Sequence, residues 1–178
     1  GLQGGREYFF RVRSRAAAGG DWTAFSPPSE GLAPRRGPEL PAAFRHALGP
    51  QLRAPGGERV GLEALAGCTI ALYFSASWCG PCRQFTPRLA DFYKQMKREG
   101  RRFEVVFVSA DRDERSFAGY HGTMPWAAVP FDAEEREACM AQFHVRGIPQ
   151  LTVYNPDGSL RSANAVQQPL SVAALGIP

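Results

Sequence analysis

Trp78-Cys79-Gly80-Pro81-Cys82 closes a short apolar run, Thr69-Ile70-Ala71-Leu72-Tyr73-Phe74-Ser75, and opens residues 80–98, where Phe85, Leu89, Phe92, Tyr93 and Met96 recur at helical spacing. The run has the length and character of a strand buried on both faces, so the C-x-x-C lies at the junction of a buried strand and an amphipathic helix. At a helix start the backbone N–H groups lack intrahelical partners, and the positive end of the dipole favours an anion. The Cys79 thiol is therefore expected to ionise more readily than a free cysteine. Cys82 follows one turn later on the same face, within reach of a bond formed at Cys79. Pro81 in the first turn removes no hydrogen bond that the helix needs. The pair supports a two-step exchange in which Cys79 is the nucleophile and Cys82 resolves the mixed disulfide. Zinc is the alternative for C-x-x-C and requires two further ligands. Cys139 and His144 stand far along the chain, on a predicted helix whose apolar face already explains them. The strand-to-helix setting favours redox use, and no metal is expected.

Working outward, residues 103–109 read as a second buried strand, and residues 113–120 and 134–143 as helices. A strand pair is expected over residues 51–60, turning at Pro55-Gly56-Gly57, with a brief helix over residues 62–66. Asn155-Pro156-Asp157-Gly158 is a turn between strands at residues 151–154 and 159–161. A kink is expected at Pro87. This alternation predicts an α/β domain over residues 48–178: a central, mixed but mostly parallel sheet, helices on both faces and an antiparallel pair at one edge. Beyond Arg161, Pro169 and small residues give no clear closing helix, and the end of the chain is expected to be frayed or truncated. Upstream, Tyr8, Phe10 and Val12 alternate with Arg11, Arg13 and Arg15 before a Gly19-Gly20 turn, the pattern of an N-terminal β-hairpin over residues 1–30. Residues 31–47, rich in Pro and Gly, read as a stiff linker.

The composition, 44% hydrophobic and 21% charged over 178 residues, suits one full-sized core and excludes disorder throughout. No apolar run approaches the roughly 20 residues that span a bilayer, so no membrane partner is expected. The net charge of +4 is mild, and the first 50 residues supply most of it, with seven arginines against four carboxylates. The Arg-bearing strand there reads as a solvated sheet face, and no nucleic acid is expected as a partner. Four cysteines are too few for a disulfide scaffold. Cys68 and Cys139 read as small core residues. No basic segment followed by an apolar one opens the chain, and the expected localisation is cytoplasmic.

Two resemblances follow from these residues. Leu2, Gly4, Arg6, Tyr8, Phe10, Val12, then Gly20, Trp22 and Ser26, resemble the last two strands of a fibronectin type III domain, with Tyr8 as its corner tyrosine. Over about residues 50–165, the run from Leu72 to Pro87, then Phe103 to Ser109 with Asp111 and Asp113, then Met124-Pro125-Trp126, resembles the tryparedoxin and nucleoredoxin branch of the thioredoxin superfamily. That resemblance implies a thioredoxin fold and a protein-disulfide reductase with no bound cofactor beyond its redox-active disulfide. Electrons would come from NADPH through a reductase, or from a small thiol such as glutathione. Protein disulfides, thiol peroxidases among them, would be the clients. Gly147-Ile148-Pro149 matches the family's cis-proline loop, which places Ile148 and Pro149 beside the cysteines, and Trp78, Gly80 and Pro81 would support substrate binding, as would Trp126 unless it merely packs. Tyr73 stands where ordinary thioredoxins have a buried Asp, Gly80 where the branch often has Pro, and Gln150 where Thr is usual. Within enzymes the alternative is an isomerase. Pro81, rather than His, before Cys82 points to the reducing end, near roughly −270 mV against about −180 mV for protein disulfide isomerase. The alternative outside enzymes is a redox-regulated adaptor module without turnover.

Overall fold

The computed structural model describes residues 40–178, which belong to the unit Pro38–Pro178. In chain order they form α1 (Ala42–Leu48), β1 (Leu52–Arg53), β2 (Arg59–Val60), a 3-10 turn (Glu63–Leu65), β3 (Thr69–Ser75), α2 (Gly80–Arg98), β4 (Phe103–Ser109), α3 (Glu114–His121), β5 (Ala127–Ala128), α4 (Glu135–Gln142), β6 (Gln150–Tyr154), β7 (Leu160–Ser162) and α5 (Val172–Leu175). The hairpin expected over residues 1–30 and the first part of the expected linker lie outside the described residues.

The strands make one sheet in the order β2-β1-β5-β4-β3-β6-β7. β3 pairs in parallel with β4 along its whole length, from Thr69–Phe103 to Ser75–Ser109, and β4 pairs in parallel with β5. The other pairings, β1 with β2 and β5, β3 with β6, and β6 with β7, are antiparallel. The sheet is thus mixed, with parallel pairing confined to its centre, less than the mostly parallel sheet expected. Two of the antiparallel pairings were expected as hairpins, at Asn155–Gly158 and between β1 and β2, where the connection has no room for a crossover helix; the difference lies in β6 against β3 and β1 against β5, strands far apart in the chain.

All seven residues of β3 are buried, as a strand covered on both faces requires. Side chains alternate between the faces. Ala71 and Tyr73 of β3, Phe103, Val105 and Phe107 of β4, and Leu151 and Val153 of β6 meet Phe85, Leu89, Phe92 and Met96 of α2 and Phe117 of α3 on one side. Ile70, Leu72, Phe74, Val106 and Val108 meet Phe44 and Leu48 of α1 and Cys139 of α4 on the other. Helix α2 runs unbroken through Pro87.

Two stretches depart from expectation. Residues 42–48 form α1 inside the stretch read as linker, and Leu40, Phe44, Ala47 and Leu48 are buried. Their i, i+4, i+7, i+8 spacing is an apolar helix stripe, and the Phe44 ring meets Tyr154 edge-on at 4.9 Å. The domain's packing therefore begins by Leu40, not at residue 48. The end of the chain is also ordered: Ser171 caps α5, and Leu175 and Ile177 join the core.

Candidate functional site

β3 and β4 end level with one another at Ser75 and Ser109, and the loops that leave them carry the site. Cys79 is the N-cap residue of α2; its Sγ accepts the Cys82 backbone N–H at 3.2 Å, with Pro81 in the first turn. Cys79 and Cys82 are joined by a disulfide, with Cα atoms 5.2 Å apart. Cys79 is 6% exposed and Cys82 fully buried, so a sulfur arriving from outside meets Cys79 first. The Ile148–Pro149 bond is cis, and the Ile148 carbonyl oxygen lies 3.7 Å from Cys79 Sγ. Ile148 also packs on Ala76 and both cysteines. Trp78, 58% exposed, leans over the next loop, its Nε1 donating to the Ala110 carbonyl. Gly80 opens α2 with nothing within 4 Å of where a Cβ would sit. Ile148, Pro149, Trp78, Gly80 and Pro81 thus gather around the disulfide.

Trp126 does not. It is 1% exposed and packed edge-on against Tyr73 and Tyr93, with centroids 6.2 and 5.6 Å away. Its size and the aromatic cluster around it make it a core residue on the α2 face, the packing alternative rather than a residue of the substrate surface.

The loop before Cys79 is held by a residue whose role the sequence left open. Asp111, buried, accepts the Ser77 backbone N–H at 2.8 Å and the hydroxyls of Ser77 and Ser109 at 2.7 and 2.8 Å. One carboxylate thereby ties the exit of β3 to the exit of β4. Arg136 of α4 fastens the same corner from behind, its guanidinium donating to the carbonyls of Ser109, Asp111 and Phe131.

Behind Cys82 lies a chain of hydroxyls. Thr86 donates to the Cys82 carbonyl at 2.9 Å and accepts from Tyr73 at 2.8 Å and from Tyr120 at 2.6 Å, and Tyr120 accepts from Ser75 at 3.0 Å. Burial pushes the Tyr73 hydroxyl well above its ordinary range, so it stays neutral. The chain fixes the first turn of α2 and contains no base. Cys68 and Cys139 are free and buried, away from the site. Burial raises the pKa of both, that of Cys139 to about 12. Among the described residues no three His, Cys, Asp or Glu side chains gather to hold a metal ion.

The family described as thioredoxin-like matches residues 67–160. Among curated proteins, probable nucleoredoxin 1 of Arabidopsis thaliana is 49% identical over 111 residues, 62% of this chain and 19% of that protein. Nucleoredoxin of Bos taurus is 42% identical over 122 residues, 67% of this chain and 28% of that protein. The chain spans less than a third of the length of these relatives. Among solved structures, tryparedoxin I from Crithidia fasciculata aligns with a TM-score of 0.64 at 38% identity, covering 71% of this chain and 89% of that one. A tryparedoxin II complexed with glutathionylspermidine aligns equally well, with a TM-score of 0.64 at 34% identity over 71% of this chain and 90% of that one.

Proposed function

Since the chain belongs to the thioredoxin-like family, we propose that it is a thiol–disulfide oxidoreductase that reduces protein disulfides through Cys79 and Cys82. The observation that carries this reading is the disulfide itself, set at the N-terminus of α2 with its more accessible sulfur facing the carbonyl before a cis-proline.

In the reduced protein the Cys79 thiolate, favoured by the helix end, attacks one sulfur of a client disulfide. A Cys79–client bond forms as the client's S–S bond breaks, and the released client thiolate takes up a proton. Cys82 then loses its proton and attacks Cys79 Sγ, closing the intramolecular disulfide. The second client sulfur leaves as a thiolate and takes up the proton. Two electrons pass from the protein to the client, and a dithiol or a reductase drawing on NADPH must return them. The similarity to a tryparedoxin solved with glutathionylspermidine supports a small thiol as one such source.

The test is covalent trapping. Cys82→Ser leaves the attacking thiol in place and removes the resolving one, so it accumulates mixed disulfides with clients, while Cys79→Ser captures almost none. The wild type should also reduce insulin with dithiothreitol as electron source. Equal trapping by both variants would overturn the assigned order of attack, and trapping by neither together with no insulin reduction would favour the adaptor.

A further inference from the structure

We propose, building on the reductase reading above, that the groove beside the disulfide selects among extended client segments laid along it as a track, with Arg88 reading a carboxylate side chain near the client's cystine. The first groove, about 380 Å³, is bounded by Pro81, Gln84 and Arg88 of α2, by Pro149, and by Asn164 and Gln167. Pro81 lies between the two cysteines in sequence, and Pro149 follows the carbonyl that faces Cys79 Sγ. The groove is therefore bordered by the residues that flank the reacting cysteines.

Its chemistry is one-sided. Arg88 is its one charged lining residue. The guanidinium stands 6.0 Å from the centroid of the Phe85 ring, and among the described residues it forms no ion pair with a carboxylate. The Asn164 carbonyl oxygen is already occupied, accepting the backbone N–H groups of Leu151 and Val166 at 3.2 and 3.1 Å. Its NH₂ group is left as the end that meets a ligand. A guanidinium and an amide N–H₂ beside one another suit a carboxylate, by charge-assisted hydrogen bonds.

Asn164 also borders a second groove of about 250 Å³ on the opposite face of the sheet, which Phe143, Tyr154, Arg146 and the exposed Leu160 line. Neither groove is lined by Asp or Glu. The client segment lies along the first groove, past Arg88 and Asn164. The positive character is local. The groove at the α1–α4 end of the domain is lined by Asp132, Glu134 and Glu135 with Arg59.

The experiment compares two disulfide-linked peptides that differ only in a Glu or a Gln near the cystine, reduced by the full chain with dithiothreitol as electron source. The wild type is expected to reduce the Glu peptide with a KM about three- to tenfold lower, a preference that fades with added salt. Arg88→Gln should bring the Glu peptide to the level of the Gln peptide, and Arg88→Glu should prefer a Lys peptide. Arg88 is exposed, so these variants leave the core untouched. Equal rates on Glu and Gln peptides, or an Arg88→Gln effect of the same size on both, would overturn the proposal. If Arg88→Gln slows glutathione disulfide as much as the Glu peptide, the carboxylate read is that of a small thiol and the polypeptide track is wrong. Should the wild type reduce neither peptide, the reductase reading fails. The track is then judged by titrating Ser-for-Cys versions of both peptides into ¹⁵N-labelled protein. A shift of the Asn164 side-chain amide with the Glu peptide alone supports it, and equal shifts or none overturn it.

Discussion

Tyr73 places a neutral hydroxyl, bonded to the Cys82 carbonyl and Thr86, behind Cys82, where a buried carboxylate could draw the proton away in the proposed second step of exchange. Asp111, the buried acid nearest in the chain to the exit of β4, is occupied with the Ser77 and Ser109 contacts and serves as a fastener. The other buried titratable side chain with a clear consequence is His121. Its Nε2 lies 2.9 Å from the Trp126 carbonyl, and its ring stacks on Phe117 at 5.5 Å and lies 6.1 Å from Phe107. Burial lowers its pKa, the Arg53 charge adds to the effect, and the bond to Trp126 opposes it. A histidine held neutral in the fold is protonated first in the unfolded chain. Its contribution is therefore fully present above about pH 6.5 and is lost as the pH falls from there towards the folded value. The urea midpoint of the oxidised protein should drop between pH 7.5 and 5.5, with a slope of at most about 1.4 kcal/mol per pH unit from this one proton. His121→Gln, which can still donate to the carbonyl, should flatten the profile, and an unchanged profile would show that the loss arises elsewhere.

Helix α1 is short, caps with Pro41 rather than with a side-chain acceptor, and owes its place to its buried face. Phe44 is its anchor, 2% exposed between Tyr154 and Phe143. Phe44→Ala should cost about 3–5 kcal/mol in denaturant unfolding, and a loss under 1 kcal/mol would mean that the helix is an ornament on the sheet. This element shows where sequence reading stopped. Leu40, Phe44, Ala47 and Leu48 carry a legible helical stripe, but Pro38 and Pro41 beside them give the segment a linker's composition, and composition prevailed. By contrast, β3, α2 and β4 were legible because each combines a long apolar pattern with a clear boundary. The two-residue β5 is too short to show any period. At the site, the cysteines and the Ile148-Pro149 loop were readable from motif. The Asp111 fastening and the Asn164 groove were not, since both depend on loops brought together from distant parts of the chain. Trp126 was ambiguous for a related reason: an aromatic residue beside a proline reads equally well as surface or core until the neighbours Tyr73 and Tyr93 are placed.

Taken whole, the molecule keeps its four thiol sulfurs in two populations. Cys79 and Cys82 are bonded at the sheet's loop end, while Cys68 and Cys139 are free, buried and raised in pKa. Alkylation of the native oxidised protein should be slow, denaturation without reductant should admit two labels, and denaturation with reductant four, as read by intact mass. No label after denaturation alone would show that Cys68 and Cys139 are bonded as well, and four labels would show that the Cys79–Cys82 bond is absent. The disulfide also has an opposite pole. Nineteen residues of α2, at about 1.5 Å each, carry the chain roughly 28 Å from Cys79 to the turn at Glu99–Gly100. There Gly100, with φ of +68°, points the direction of its missing side chain into space with no atom within 4 Å. A side chain at Gly100 itself would be strained by that φ, so the exposed Glu99 beside it is the natural anchorage for a dye, an electrode linker or a bead: a molecule tethered there would present its sulfurs outward, so that electron exchange could be followed on a surface without the attachment standing in the way.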